Sequence, residues 1–158
     1  MTELESVKNA QRLHHIILAL QRIRRSMDGV TWEEFAANED KQGNVVRCLE
    51  IIGEAANHVS EEIRAENPDI PWTSIIGMRN NLVHGYSEVN YHLVWRTVQD
   101  DLHLLEDKIP HALENLNLPP DFMTSELPTV ELCPRTAKMA VCQSKRNLER
   151  LNESLVVK

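Results

Sequence analysis

The stretch Ser6–Met27, SVKNAQRLHHIILALQRIRRSM, decides the class of fold. Leu13, Ile16, Ile17, Leu20 and Ile23 recur at spacings of three and four, which places them along one face of a helix. Asp28-Gly29 ends that helix, because glycine enters the left-handed C-terminal conformation without a side-chain clash. Thr31-Trp32-Glu33-Glu34 then fits a capping box, with a hydroxyl and a carboxylate to satisfy free amides at a helix start. A short helix carrying Trp32 and Phe35 into the core is the expectation.

The same periodicity continues along the chain. Val45, Leu49, Ile52, Ala56, Val59 and Ile63 predict a second long helix from about Lys41 to Arg64. Its small residues Gly53, Ala55 and Ala56 would admit a close neighbour. Asn67-Pro68-Asp69-Ile70-Pro71 interrupts it, since residues before proline avoid the helical region. A third helix is predicted from near Pro71, through Trp72, Ile75, Ile76, Arg79 and Leu82, to near Gly85. A fourth runs from Asn90 with Val94, Val98, Leu102, Leu105 and Ile109 on one stripe, and Pro110 is expected to kink or end it. No strand pattern competes. The chain reads as all-α, an antiparallel four-helix-bundle-like domain with a short extra helix.

After Leu118 the pattern changes. Residues 119–158 open on Pro119-Pro120, add Pro128 and Pro134, and regain helical character only at Ser144–Val156. The expected organisation is a helical domain over 1–118 and an irregular C-terminal extension over 119–158, too short for a stable core of its own. Its basic cluster Lys145, Arg146 and Arg150 reads as a solvated helix face.

The 158 residues are 42% hydrophobic and 26% charged, with a net charge of −7, an ordinary balance for a globular chain. An acidic chain has no general attraction for nucleic acid, so such a function needs a local basic site or a surface formed on assembly. There is no apolar run of membrane-spanning length and no signal-peptide pattern at the start, which predicts a cytoplasmic protein away from membranes. Cys48, Cys133 and Cys142 lack metal-binding spacing and read as reduced thiols. His14, His15, His58, His92, His103 and His111 do not converge in any helical register, so no metal and no cofactor is expected. Glu54, Asp100 and Asp101 read as capping, pairing or solvated carboxylates. Trp32, Trp72 and Trp95 read as packing residues.

Chemistry concentrates in Met78-Arg79-Asn80-Asn81-Leu82-Val83-His84-Gly85-Tyr86. Arg79 offers a permanent charge and a planar fork of donors suited to phosphate. His84 carries the side chain whose proton moves most readily near neutral pH. The two suffice, in principle, for cleavage of RNA without a metal. His84 would take the proton of a ribose 2′-hydroxyl or give one to the departing 5′-oxygen, while Arg79 stabilises the phosphate in the transition state. Asn80 and Asn81 could line a substrate pocket with amides that donate and accept. Residues five apart differ by about 140° on an ideal helix. Either the helix unwinds before His84 or a second subunit helps to close the site.

Pro71-Trp72, Gly77-Met78-Arg79-Asn80, Leu82-Val83-His84-Gly85-Tyr86, Val94-Trp95, Thr97-Val98 and Asp100-Asp101-Leu102 together resemble the signature of the HepT-like toxins of the HEPN superfamily. The core is the Arg-x4-His-x-Tyr pattern. Ile51-Ile52-Gly53-Glu54-Ala55 resembles that family's second long helix, and the similarity spans roughly residues 5–115. The resemblance implies an α-helical homodimer with paired motifs facing a shared cleft, acting as a metal-independent endoribonuclease, with tRNA as one candidate substrate. It implies a bacterial toxin–antitoxin pair of type VII, whose MntA-like nucleotidyltransferase antitoxin adds AMP to the motif tyrosine and can form a higher-order assembly with the toxin. Carried over by position, Arg79 and His84 become the catalytic pair and Tyr86 the AMP acceptor. The alternative is a non-catalytic helical dimer that binds and regulates a nucleotidyltransferase.

Overall fold

A computed structural model describes residues 2–84, 89–116 and 118, without the side chains of Val83 and His84. Among the described residues every regular element is helical. In chain order these are α1 (Glu3–Met27), α2 (Trp32–Ala36), α3 (Glu39–His58), α4 (Glu61–Glu66), α5 (Trp72–His84), α6 (Tyr91–Arg96), a π-helical turn (Thr97–Asp101) and α7 (Leu102–Glu114). The expectations for Tyr86 and for the extension over 119–158, including its basic cluster, lie outside the described residues.

Helix α3 is the hub. It packs against both α1 and α5, and touches α2 and α6, while α1 also packs on α7. Leu13, Ile16, Leu20 and Ile23 of α1 meet Val45, Leu49, Ile52 and Ala56 of α3 in the buried core, each 2% exposed or less. Burying a side chain of this size stabilises by about 1.5–3 kcal/mol before the entropy of ordering is charged against it. Arg24 of α1 donates through Nε to Glu106 of α7 at 3.0 Å and adds an exposed ion pair there.

The predicted helix ends hold at several points. Gly29 sits at φ +70° just beyond α1. Thr31 and Glu34 form the reciprocal capping box of α2. A second such box, Thr2 with Glu5, starts α1 three residues ahead of the predicted Ser6. Trp72 opens α5, with its indole N–H donating to the Asn67 carbonyl at 3.0 Å.

Four expectations are corrected. The helix predicted over Lys41–Arg64 is two, α3 and α4, separated at Val59-Ser60 in extended conformation. Asn9 of α1, 1% exposed, accepts from the Ser60 main-chain N–H at 3.1 Å and donates to its hydroxyl at 3.0 Å. Arg64 then caps the end of α3 by donating to the Val59 and Asn57 carbonyls at 2.9 and 3.0 Å. Val59 and Ile63 are both 1% exposed, so the apolar spacing runs across the break and conceals it.

The fourth helix is likewise not one regular helix, because the π-helical turn at Thr97–Asp101 interrupts it. Eight residues on an α-helix advance about 800°, or 80° past a full number of turns. One inserted residue absorbs about 100° of that and returns Leu102 to within about 20° of the face of Val94. Both are buried at 4% exposure, whereas Val98, between them, is only half-buried.

Pro110 does not end α7, which continues to Glu114. Ile109, Ala112 and Leu116 are buried on either side of it. Their packing outweighs the roughly 3 kcal/mol that an internal proline costs a helix. Finally, Phe35 is fully buried as expected, but Trp32 is only half-buried. It stacks on His92 at 3.9 Å between ring centroids and meets Trp95 edge-on, fastening α2 to α6.

Candidate active site around Arg79

The position of Arg79 is set by a close approach of α5 to α3. A Cβ built on Gly53 would lie 2.2 Å from the Arg79 Cβ, 2.9 Å from its Cγ and 3.2 Å from the Ile75 carbonyl oxygen. The stem of Arg79 therefore occupies the space that any other residue at position 53 would fill. Its guanidinium reaches along α3 to the next residue, where Arg79 Nη2 lies 2.8 Å from Glu54 Oε2 in an ion pair. From the other terminal nitrogen, Nη1 donates to Asn80 Oδ1 at 3.1 Å. Among the described residues the guanidinium makes one side-chain hydrogen bond, to Asn80, and its contact with Glu54 is an ion pair without hydrogen-bond alignment, so its planar fork keeps donors able to turn toward a phosphate.

Glu54 has a second neighbour. His58, one turn further along α3, holds Nδ1 2.9 Å from the Glu54 carbonyl and 3.5 Å from its Oε1. Arg79, Glu54 and His58 thus form a row at the edge of an open cleft of about 440 Å³, lined also by His15 of α1 and by Arg47, Glu50, Ile51 and Ala55 of α3. Arg47 Nη1 pairs with Glu50 Oε2 at 3.1 Å. His14, the neighbour of His15 in α1, is buried and its Nε2 meets no protein partner among the described residues. Burial, and secondarily the charge of His15, lowers the His14 pKa below its ordinary value.

Of the residues singled out by sequence, Arg79 and Asn80 are brought together by a hydrogen bond. Asn81 follows on the exposed side of α5. The backbone is helical through His84, so α5 does not unwind ahead of it, and the register keeps positions 79 and 84 about 140° apart. The His84 side chain and Tyr86 lie outside the described residues.

Sequence reading left Glu54 as a capping, pairing or solvated carboxylate and did not single out Arg79 as its partner. It also missed His15, Arg47 and His58 as neighbours of the motif. One signal was available: Arg47, Glu50, Glu54 and His58 fall at spacings of three and four on α3, a charged stripe opposite the apolar one. No group of His, Cys, Asp or Glu side chains suited to a metal occurs among the described residues. No described helix is long and apolar enough to cross a membrane.

Comparison with known proteins settles the kinship. The family described as Ribonuclease HepT-like matches residues 16–112, more than half of the chain and all of α3 and α5. The chain belongs to the HepT-like family. A candidate RNase of Caldanaerobacter subterraneus subsp. tengcongensis is 33% identical over 102 residues, covering 65% of this chain and 91% of that protein. The candidate ribonuclease HepT of Thermococcus cleftensis is 33% identical over 96 residues, 61% of this chain and 87% of the relative. A candidate RNase of Methanocaldococcus jannaschii is 32% identical over 104 residues, 66% and 90% of the two chains. No solved structure gives a significant match. Within the HepT-like domain, Arg79 is thus held by a glycine contact and an ion pair that both originate in α3.

Proposed function

We propose that this HepT-like chain is a metal-independent endoribonuclease, with Arg79 and His84 as its catalytic pair. The observation that carries this reading is Arg79, its stem packed against Gly53 and its guanidinium paired with Glu54 at an open cleft. The chemistry needs only the chain's own groups. A ribose 2′-oxygen attacks the adjacent phosphorus, the bond to the 5′-oxygen breaks, and the products are a 2′,3′-cyclic phosphate and a free 5′-hydroxyl. His84 takes the 2′-hydroxyl proton or supplies one to the leaving oxygen, and Arg79 offsets the charge gathering on the phosphoryl oxygens. Asn80 holds Arg79, and Asn81 borders the substrate.

In this reading the active unit is a homodimer, since a continuous α5 directs positions 79 and 84 apart and a second motif supplies the missing group. The protein then acts as the toxin of a toxin–antitoxin pair. An MntA-like nucleotidyltransferase silences it by transferring AMP from ATP to the Tyr86 phenol, with release of pyrophosphate.

The test is cleavage of total tRNA in EDTA by the purified protein beside Arg79→Ala and His84→Ala. Cutting that is lost in both variants, each still helical and of native mass in solution, supports the nuclease. Equal cutting by His84→Ala sinks the assignment of the catalytic pair.

A further inference from the structure

The cleft beside Arg79 gathers more side chains able to donate to a phosphate than one scissile phosphate requires. Arg47, Arg79, His58 and His15 converge on it from α3, α5 and α1. Its two carboxylates are each matched by an arginine of the same cleft, Glu50 by Arg47 and Glu54 by Arg79. The lining therefore carries no net negative charge, on a protein whose charge is −7. The guanidinium of Arg47 is largely exposed and the His58 side chain is half-exposed, so both can meet a ligand without rearranging the core.

The spacing along α3 is informative. Arg79 meets α3 at Gly53 and Glu54. Arg47 lies seven residues before Glu54, about 10 Å along the axis, and His58 lies four residues after, about 6 Å. Side chains able to donate to a phosphate, the Arg47 guanidinium and the His58 imidazole, thus stand on both sides of Arg79 in a row parallel to α3, with His15 lining the same cleft from α1. A single point anion needs no such row, whereas a chain of phosphates does.

We propose that this row is a phosphodiester-binding subsite, in which Arg47 on one side of Arg79 and His58 on the other hold the phosphates flanking the one at Arg79. The ligand is the backbone of single-stranded RNA. This deepens the nuclease reading, on which it rests for the identity of the strand. Glu50 and Glu54 act as resident counter-charges that keep the two guanidinium groups aligned until phosphates replace them.

The experiment is binding of a fluorescein-labelled 12-nucleotide polyuridine to the full-length His84→Ala protein, followed by anisotropy across a salt series. Adding Arg47→Ala weakens binding about ten-fold, the worth of one charged hydrogen bond. It also lowers the salt slope by about 0.7, one phosphate contact on a single strand. His58→Ala weakens binding in the same direction, and Glu50→Gln strengthens it by freeing Arg47, a gain that a damaged fold cannot imitate. Inorganic phosphate at the same concentration as the RNA leaves the anisotropy unchanged if the backbone is the ligand, and displacement by it instead assigns the cleft to a free anion and overturns the proposal. Unchanged affinity and slope in both Arg47→Ala and Glu50→Gln also overturn it. If the wild-type protein cuts no RNA while the Arg47-dependent affinity persists, the nuclease reading fails and the subsite stands. Cleavage without that dependence gives the reverse.

Discussion

Replacing Gly53 with alanine adds one carbon at the point where α3 and α5 are closest. That carbon would lie 2.2 Å from the Arg79 Cβ, an atom at the root of its side chain that cannot swing aside. Carbon atoms in contact settle at about 3.5–4.0 Å, so α5 must retreat from α3 by about 1.5 Å at Arg79. Overpacking of this kind costs about 1–3 kcal/mol. The gain in helix propensity from glycine to alanine returns about 1 kcal/mol. The net expectation is a loss of up to about 2 kcal/mol, with Tm falling by about 4 °C for each kcal/mol lost in a domain of this size. The assay is urea denaturation followed by far-UV circular dichroism. Gly43→Ala, also within α3 but with nothing within 4 Å of the added carbon, is the matched control and should gain about 0.5–1 kcal/mol. A Gly53→Ala protein as stable as Gly43→Ala would refute the close approach, and with it the account of what fixes Arg79. Cleavage of tRNA by Gly53→Ala is expected to fall about a hundred-fold, since a displacement of an ångström in a charged catalytic group has that scale.

Two further outcomes follow from buried polar groups. Asn9→Ala removes the acceptor of the buried Ser60 N–H and should cost about 1–3 kcal/mol in the same urea assay, with Asn9→Asp losing less because it keeps that acceptor; equal losses would show that the contact is not what matters. His14 has a lowered pKa in the folded state, so the unfolded chain binds the extra proton first and stability falls as pH drops below the ordinary value of 6.5. Urea midpoints at pH 7.5 and 5.5 should therefore differ more for the wild type than for His14→Leu, and parallel shifts in the two proteins would remove His14 from the account.

Much was legible in local signals. The period of the apolar residues in α1 and α3, the capping box at Thr31 and the left-handed Gly29 all depend on interactions within a few residues. The order of residues that marks the HepT-like family was legible as well, because it is carried by the sequence itself. Helix continuity was not. The break at Ser60 is fixed by Asn9, fifty-one residues away, and the π-helical turn exists so that Val94 and Leu102 can share one core. Pro110 obeyed packing rather than its own preference.

The same division runs through the candidate site. Gly53 and Glu54 were visible as a small residue and a carboxylate, and their pairing with Arg79 required α5 to lie against α3. His15, Arg47 and His58 became neighbours of the motif for the same reason. Sequence alone determined the all-α class, most helix ends and the kinship, since these rest on periodicity, capping and the order of residues. Only the tertiary structure decided where helices break and which side chains surround Arg79. Those outcomes depend on contacts between distant segments, and such contacts have an energy only once the chain has folded to make them.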